Sequence, residues 1–197
     1  MLRVGLTGGL ATGKSTVSQE LEKLGCYVIH ADQLGHYLLS PEGAAFAPVV
    51  VEFGPGILVE GKIDRRILAR EVFSHPERLA KLNEIIHPLV FELEEKLIRE
   101  VDDPDAIVVV EAAILIETGS YKKYDQLILT VCEEQQQIER AMERDGLSEQ
   151  EVRDRLARQM PLEEKKKFAN HIIDTSGPRD QTINQVRRVY ESLQNIS

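Results

Sequence analysis

Lys14 and Ser15 directly follow Gly13, with Gly8 framing the stretch upstream. The run Gly8-Gly9-Leu10-Ala11-Thr12-Gly13-Lys14-Ser15 fits the Walker A pattern G-x-x-x-x-G-K-[ST]. Each residue type has a physical task there. Glycine tolerates positive φ and carries no Cβ, so successive backbone N–H groups can turn inward around an anion. A helix starting near Gly13 adds unpaired donors and the positive end of its dipole. Lys14 brings a full charge that reaches the β- and γ-phosphates of a nucleoside triphosphate, and the Ser15 hydroxyl suits Mg²⁺.

The elements that hold this stretch can be read around it. Leu2 to Leu6 is an apolar strand, and residues 14–24 form an amphipathic helix capped at Gly25. Cys26 to His30 is a second strand, ending in Ala31-Asp32. In an open parallel sheet, ligands bind beyond the carboxyl ends of the strands. That edge gives Asp32 two compatible readings: a base for an attacking hydroxyl, or the N-cap of a helix over 33–39. Ala106 to Val110 lacks alternation and reads as a strand buried on both faces. Glu111 follows it, either as an acid that meets Mg²⁺ through water or the acceptor, or as a solvated strand end. Leu127 to Val131, a helix over 134–144, a strand from Ala169 to Ile173 and a helix over 180–194 complete an α/β core.

Between the second and third strands the alternation stops. Helical patterns run over 33–39, 43–53, 64–73 and 77–100, with breaks at Ser40-Pro41, Gly54-Pro55-Gly56, His75-Pro76 and His87-Pro88. About 70 residues is far more than one crossover helix requires, so this is a helical insertion at the binding edge. Within it, Asp64 caps a helix whose first turn holds Arg65 and Arg66. Arginine opposes the dipole there, which leaves anion binding or plain solvation as the two readings. Residues 133–168 gather arginines. Gln137, Arg140 and Arg144 share one helical face, and Ser148 with Glu151 forms a capping box. An arginine-rich pair of helices suits a lid closing over phosphates, although interleaved acids also fit an ordinary paired surface.

Composition narrows the classes. A chain of 197 residues accommodates one α/β domain with an insertion. A net charge of −9 argues against general nucleic-acid binding. No run approaches the roughly 18 apolar residues of a membrane span, and no leader is recognisable, so a cytoplasmic protein is expected. Cys26 and Cys132 stand far apart in apolar surroundings and read as buried thiols.

The chain resembles the dephospho-CoA kinase family over nearly its whole length. The resemblance is carried by Leu6 to Thr16, His30-Ala31-Asp32, Gly61 to Arg65, Ile86-His87-Pro88-Leu89 and Ile114 to Glu117. It continues through Gln137, Arg140 and Arg144, then Gln159-Met160-Pro161, and Ile173-Asp174 before Ser176-Gly177. It implies a P-loop NTPase fold: a three-layer α/β/α domain with a five-stranded parallel sheet. The core would be 1–32, 105–132 and 169–197, with an acceptor-binding insertion at 33–104 and a lid at 133–168. It implies ATP-dependent phosphorylation of the ribose 3′-hydroxyl of dephospho-CoA, with Mg²⁺, as the last step of coenzyme A synthesis.

By matching position, Asp32 would be the base. Lys14 and the backbone of Gly9, Ala11, Thr12, Gly13, Ser15 and Thr16 would hold ATP, and Ser15 would ligate the metal. Arg140 would stabilise the transferring group, while Arg144 and Thr175 would join the nucleotide site. Arg65, His87 and Glu111 would meet the acceptor. A monomer or weak homo-oligomer without nucleic-acid or membrane partners is expected. Three positions depart from the family pattern: His30 replaces an aspartate, Glu111-Ala112-Ala113 replaces Asp-x-Pro, and Thr175 replaces an asparagine. The alternatives are another small-molecule or nucleoside monophosphate kinase of this fold, or a P-loop nucleotide switch without an acceptor.

Overall fold

The computed structural model describes residues 1–73 and 75–196, Phe73 by its backbone alone. Ser74 of the expected insertion and Ser197 of the expected core lie outside the described residues. The elements run β1 (Leu2–Gly8), α1 (Lys14–Lys23), β2 (Tyr27–His30), α2 (Ala31–Leu38) and α3 (Phe46–Phe53). Then come β3 (Leu58–Val59), β4 (Lys62–Ile63), α4 (Arg65–Phe73), α5 (Pro76–Arg99), β5 (Ile107–Glu111) and β6 (Gln126–Val131). The chain closes with α6 (Glu134–Asp145), α7 (Glu149–Ala157), α8 (Leu162–Lys165), β7 (His171–Asp174) and α9 (Arg179–Gln194). It divides into two compact units, Met1–His30 with Asp102–Ser197, and Ala31–Val101.

The first unit holds a five-stranded parallel sheet in the order β2-β5-β1-β6-β7. Val4 and Leu6 of β1 pack into an apolar cluster with Val17 and Leu21 of α1 and Val186 and Leu193 of α9. The other face is filled as well, because a Cβ on Gly5 would press against Leu127, Tyr124 and Leu115. Burial on both faces explains why β5 reads as an unbroken apolar run. The central strand β1 delivers the chain to the phosphate loop at the carboxyl edge of the sheet.

The second unit is helical around Leu38, Ala45, Val49, Ile57, Leu68 and Val72. It also contains an unforeseen hairpin, in which β3 and β4 pair Leu58 with Ile63 and Val59 with Lys62. The turn places Glu60 and Gly61 at φ of 49° and 76°, a two-residue connection matching strand twist. Asp64 caps α4 as its spacing predicts, accepting from the N–H groups of Arg66 (2.8 Å) and Ile67 (3.1 Å).

Four boundaries differ from expectation. The helix after β2 begins at Ala31, so Asp32 is a first-turn acid rather than its N-cap. The helix expected from 43 starts at Phe46, because Gly43 sits against the Leu38 carbonyl in a preceding turn. Pro88 does not break α5, which runs through it. One missing N–H is tolerated where neighbours along the helix pack an apolar face. The final strand is shifted to His171–Asp174.

Candidate active site

The phosphate loop is shaped by backbone and braced from three sides. Gly13 takes the left-handed conformation at φ 81°, and Ala11 does so at φ 54°. Left-handed residues alternating with right-handed ones turn N–H groups to one side, which is the geometry of an anion nest. Gly8 has no room for a side chain, since a Cβ there would collide with the hydroxyls of Thr130 and Thr12. Those two buried hydroxyls lie 2.8 Å apart, with Gly9 O and Thr7 O as nearby acceptors at 2.9 and 3.3 Å. The Lys14 ammonium donates to Gly9 O at 3.5 Å. Ser15 is exposed in the first turn of α1.

The tip of the loop belongs to the helices that follow β6. Gln137 Nε2 donates to Leu10 O at 2.7 Å, and Leu10 N–H donates to Gln159 Oε1 at 2.9 Å. Both polar groups of one residue's backbone are thus held by two glutamines that the sequence reading assigned no role. Leu10 and Ala11 also pack against the apolar cluster of Ile138, Ala141 and Val152. This packing offsets the strain of a non-glycine residue at positive φ. A cleft of about 630 Å³ opens beside Gly9, lined among others by Gln137, Arg153, Gln159 and Leu162.

Arg140 is half-buried and forked onto Thr175, through Nη1 to Oγ1 at 3.0 Å and Nη2 to the carbonyl at 2.7 Å. The Thr175 hydroxyl donates to Thr12 O at 3.0 Å, tying Arg140 to the loop through one residue. Thr175 is therefore committed to structure on the loop side. Arg144 pairs with Asp145 through Nε (2.8 Å) and Nη2 (2.9 Å). Hydrogen bonds from Arg144 hold the Asp145 carboxyl below its ordinary range.

Glu111 ends β5 beside Leu6 of β1, at the sheet edge where the loop begins. Its Oε2 lies 2.8 Å from His30 Nδ1. Lys165, in the 133–168 segment whose charges also fit an ordinary paired surface, is instead fully buried, its Nζ 2.7 Å from Glu117 Oε1. The contact is ionic rather than a well-angled hydrogen bond. Nothing in the local sequence distinguishes Lys165 from its neighbours.

In the second unit, Asp32 and Arg65 both act on His36, a residue the sequence reading passed over. Burial pushes the His36 imidazole below its ordinary value and Arg65 adds to this, while Asp32 opposes it. A histidine four residues after an acid on one helix face was the available signal. His87 is half-buried and lowered by burial, 6.3 Å from the ring of Phe91. The structure thus brings Gly9 to Thr16, Arg140, Thr175 and Glu111 together in one unit, and Asp32 with Arg65 in the other.

A sequence model of the family described as Dephospho-CoA kinase matches residues 2–181. The dephospho-CoA kinase of Aquifex aeolicus (strain VF5) is 43% identical over 194 residues, 98% of each chain. Among solved structures, TT1252 from Thermus thermophilus superposes with a TM-score of 0.86 at 31% identity, covering 97% of this chain and 96% of that one. The dephospho-CoA kinase from Campylobacter jejuni gives a TM-score of 0.73 at 26% identity, covering 98% and 97%. A phosphate loop at the centre of a five-stranded parallel sheet, matched over nearly the full chain by these relatives, has one reading: the chain belongs to the dephospho-CoA kinase family.

Proposed function

We propose that this ATP-dependent kinase transfers the γ-phosphoryl group of ATP to the ribose 3′-hydroxyl of dephospho-CoA, giving coenzyme A and ADP. The observation that carries the chemistry is the braced phosphate loop, with Ala11 and Gly13 held left-handed and Lys14 at the start of α1. The new bond joins the 3′-oxygen to phosphorus, the bond to the β–γ bridging oxygen breaks, and the hydroxyl proton passes to Asp32. Phosphoryl transfer asks a protein mainly for positioning and charge neutralisation.

Each proposed role is supported by the chemistry of its side chain. Loop N–H groups and Lys14 neutralise the phosphates. Arg140 contributes a planar, permanently charged guanidinium for the transferring group. Asp32, exposed in the first turn of α2, accepts the proton. Arg65 serves the acceptor's anionic groups. The Ser15 hydroxyl and the Glu111 carboxylate are hard oxygen donors, which suits Mg²⁺ completed by water and phosphate oxygens. When bound, that ion would supply charge neutralisation between the phosphates. In this reading the helical unit Ala31–Val101 receives the acceptor, and residues 133–168 serve as the lid.

The test is ADP release with Mg·ATP against dephospho-CoA, AMP, CMP, adenosine, pantothenate and no acceptor. Release that requires dephospho-CoA, with product phosphorylated at the 3′ position, is the expected result. Release with another acceptor would reassign the helical unit, and acceptor-independent release would replace the kinase by a nucleotide switch.

A further inference from the structure

His30 is the last residue of the edge strand β2, and the parallel register sets it opposite Glu111 at the end of β5. Its Nδ1 lies 2.8 Å from Glu111 Oε2, and its Nε2 lies 3.5 Å from Glu22 Oε1 on α1. One imidazole therefore links two strands and a helix at the carboxyl edge of the sheet. The Glu111 side chain is only 15% exposed and that of His30 28%. A carboxylate this shielded needs a donor to offset its lost hydration. A carboxylate at position 30 would stand against Glu111 as a like charge, whereas an imidazole N–H attracts it.

We propose that His30 is a positioning residue for Glu111: Nδ1–H holds Oε2 and fixes the carboxylate so that Oε1 serves the phosphoryl-transfer site. This rests on the reading of Glu111 as an acid of that site. Adjacent parallel strands lie about 4.8 Å apart. The glutamate arm and the imidazole span that gap in direct contact at 2.8 Å. Ser15 and Asp32 are untouched by this pair among the described contacts. The inference therefore concerns the aim of one carboxylate and not the binding of ATP.

The test is steady-state kinetics on the full-length protein, with melting temperatures alongside. His30→Ala is expected to lower kcat about tenfold with the KM for ATP within about twofold, the scale seen when the partner of a metal-site ligand is removed. His30→Asn, whose amide N–H falls near the Nδ1 position, restores kcat to within about threefold. His30→Gln, whose amide reaches the Nε2 side, does not. In a Glu111→Gln background, His30→Ala adds no further loss, because the two residues act as one unit.

Wild-type kcat in His30→Ala, equal rescue by Asn and Gln, or additive losses would each overturn the positioning role. Wild-type kcat in Glu111→Gln would overturn the underlying assignment of Glu111 instead. Should His30→Ala fail to fold, the Asn-to-Gln comparison decides alone.

Discussion

Arg140 grips Thr175 at two points, Nη1 on the hydroxyl at 3.0 Å and Nη2 on the carbonyl at 2.7 Å. The guanidinium plane is thereby fixed, and the Thr175 hydroxyl passes the constraint to Thr12 O in the phosphate loop. A charged group held this way costs little reorganisation when charge develops nearby. Arg140→Ala is expected to lower kcat about 10²- to 10³-fold while weakening ATP binding much less. Arg140→Lys should recover little, because an ammonium cannot reproduce the fork. Turnover assays paired with calorimetric ATP titrations test both, and an unchanged kcat in Arg140→Ala would remove it from the site.

Asp32→Asn should bind ATP normally and lose about 10²- to 10⁴-fold in kcat, the range supplied by one general base. Near-normal turnover in that variant would reassign the base.

The phosphate loop was legible because its requirements are local. Gly13 must sit at φ 81°, Lys14 must follow it, and a helix must begin there. The capping box was legible for the same reason: Ser148 and Glu151 satisfy each other across one turn, with Glu151 Oε2 accepting from Ser148 N at 2.8 Å. What escaped the sequence involves partners far apart along the chain. Gln137 and Gln159 meet at Leu10 only after α6 and α7 have folded over it. Lys165 looks like its lysine neighbours, and only the fold brings Glu117 to it. His36 was missed because its burial, and with it the nearby charge of Arg65, comes from tertiary structure.

Gly8→Ala is expected to abolish measurable ATP binding and lower the melting temperature. The added Cβ meets the Thr130 and Thr12 hydroxyls, and Thr130 O lies 2.9 Å from it, so backbone has to move. Calorimetry in both thermal and titration modes reads the two effects. An alanine variant with native affinity would show that the loop relaxes at no cost.

Glu117→Gln should destabilise the protein by about 3 kcal/mol, since it strands a buried ammonium. Lys165→Met should cost less, because the Glu117 side chain is 23% exposed and can regain water. Urea unfolding of both variants checks the asymmetry, and equal costs would argue against it.

Burial pushes the Cys26 thiol from an ordinary value of 9.0 up to about 12. The folded state therefore favours the neutral form, and the stability this provides is complete at neutral pH. It is lost progressively as the pH climbs from about 9 towards about 12, where the unfolded chain ionises and the folded one does not. Melting temperatures above pH 9 should fall less steeply in Cys26→Ala than in the parent. Thiol reagents at pH 8 should leave Cys26 unmodified until the protein unfolds.

The strand order β2-β5-β1-β6-β7 also bears on how the molecule is made. β1 leaves the ribosome well before either of its neighbours, β5 and β6, has been translated. At about 5–20 residues per second, the roughly 100 intervening residues leave its hydrogen-bonding edges unpaired for several seconds. The nascent chain therefore carries an unpaired apolar strand throughout synthesis of the helical unit. Both edges of β1 are paired only once β6 emerges, and the sheet is complete only with β7, which makes the early chain a natural client for holding chaperones.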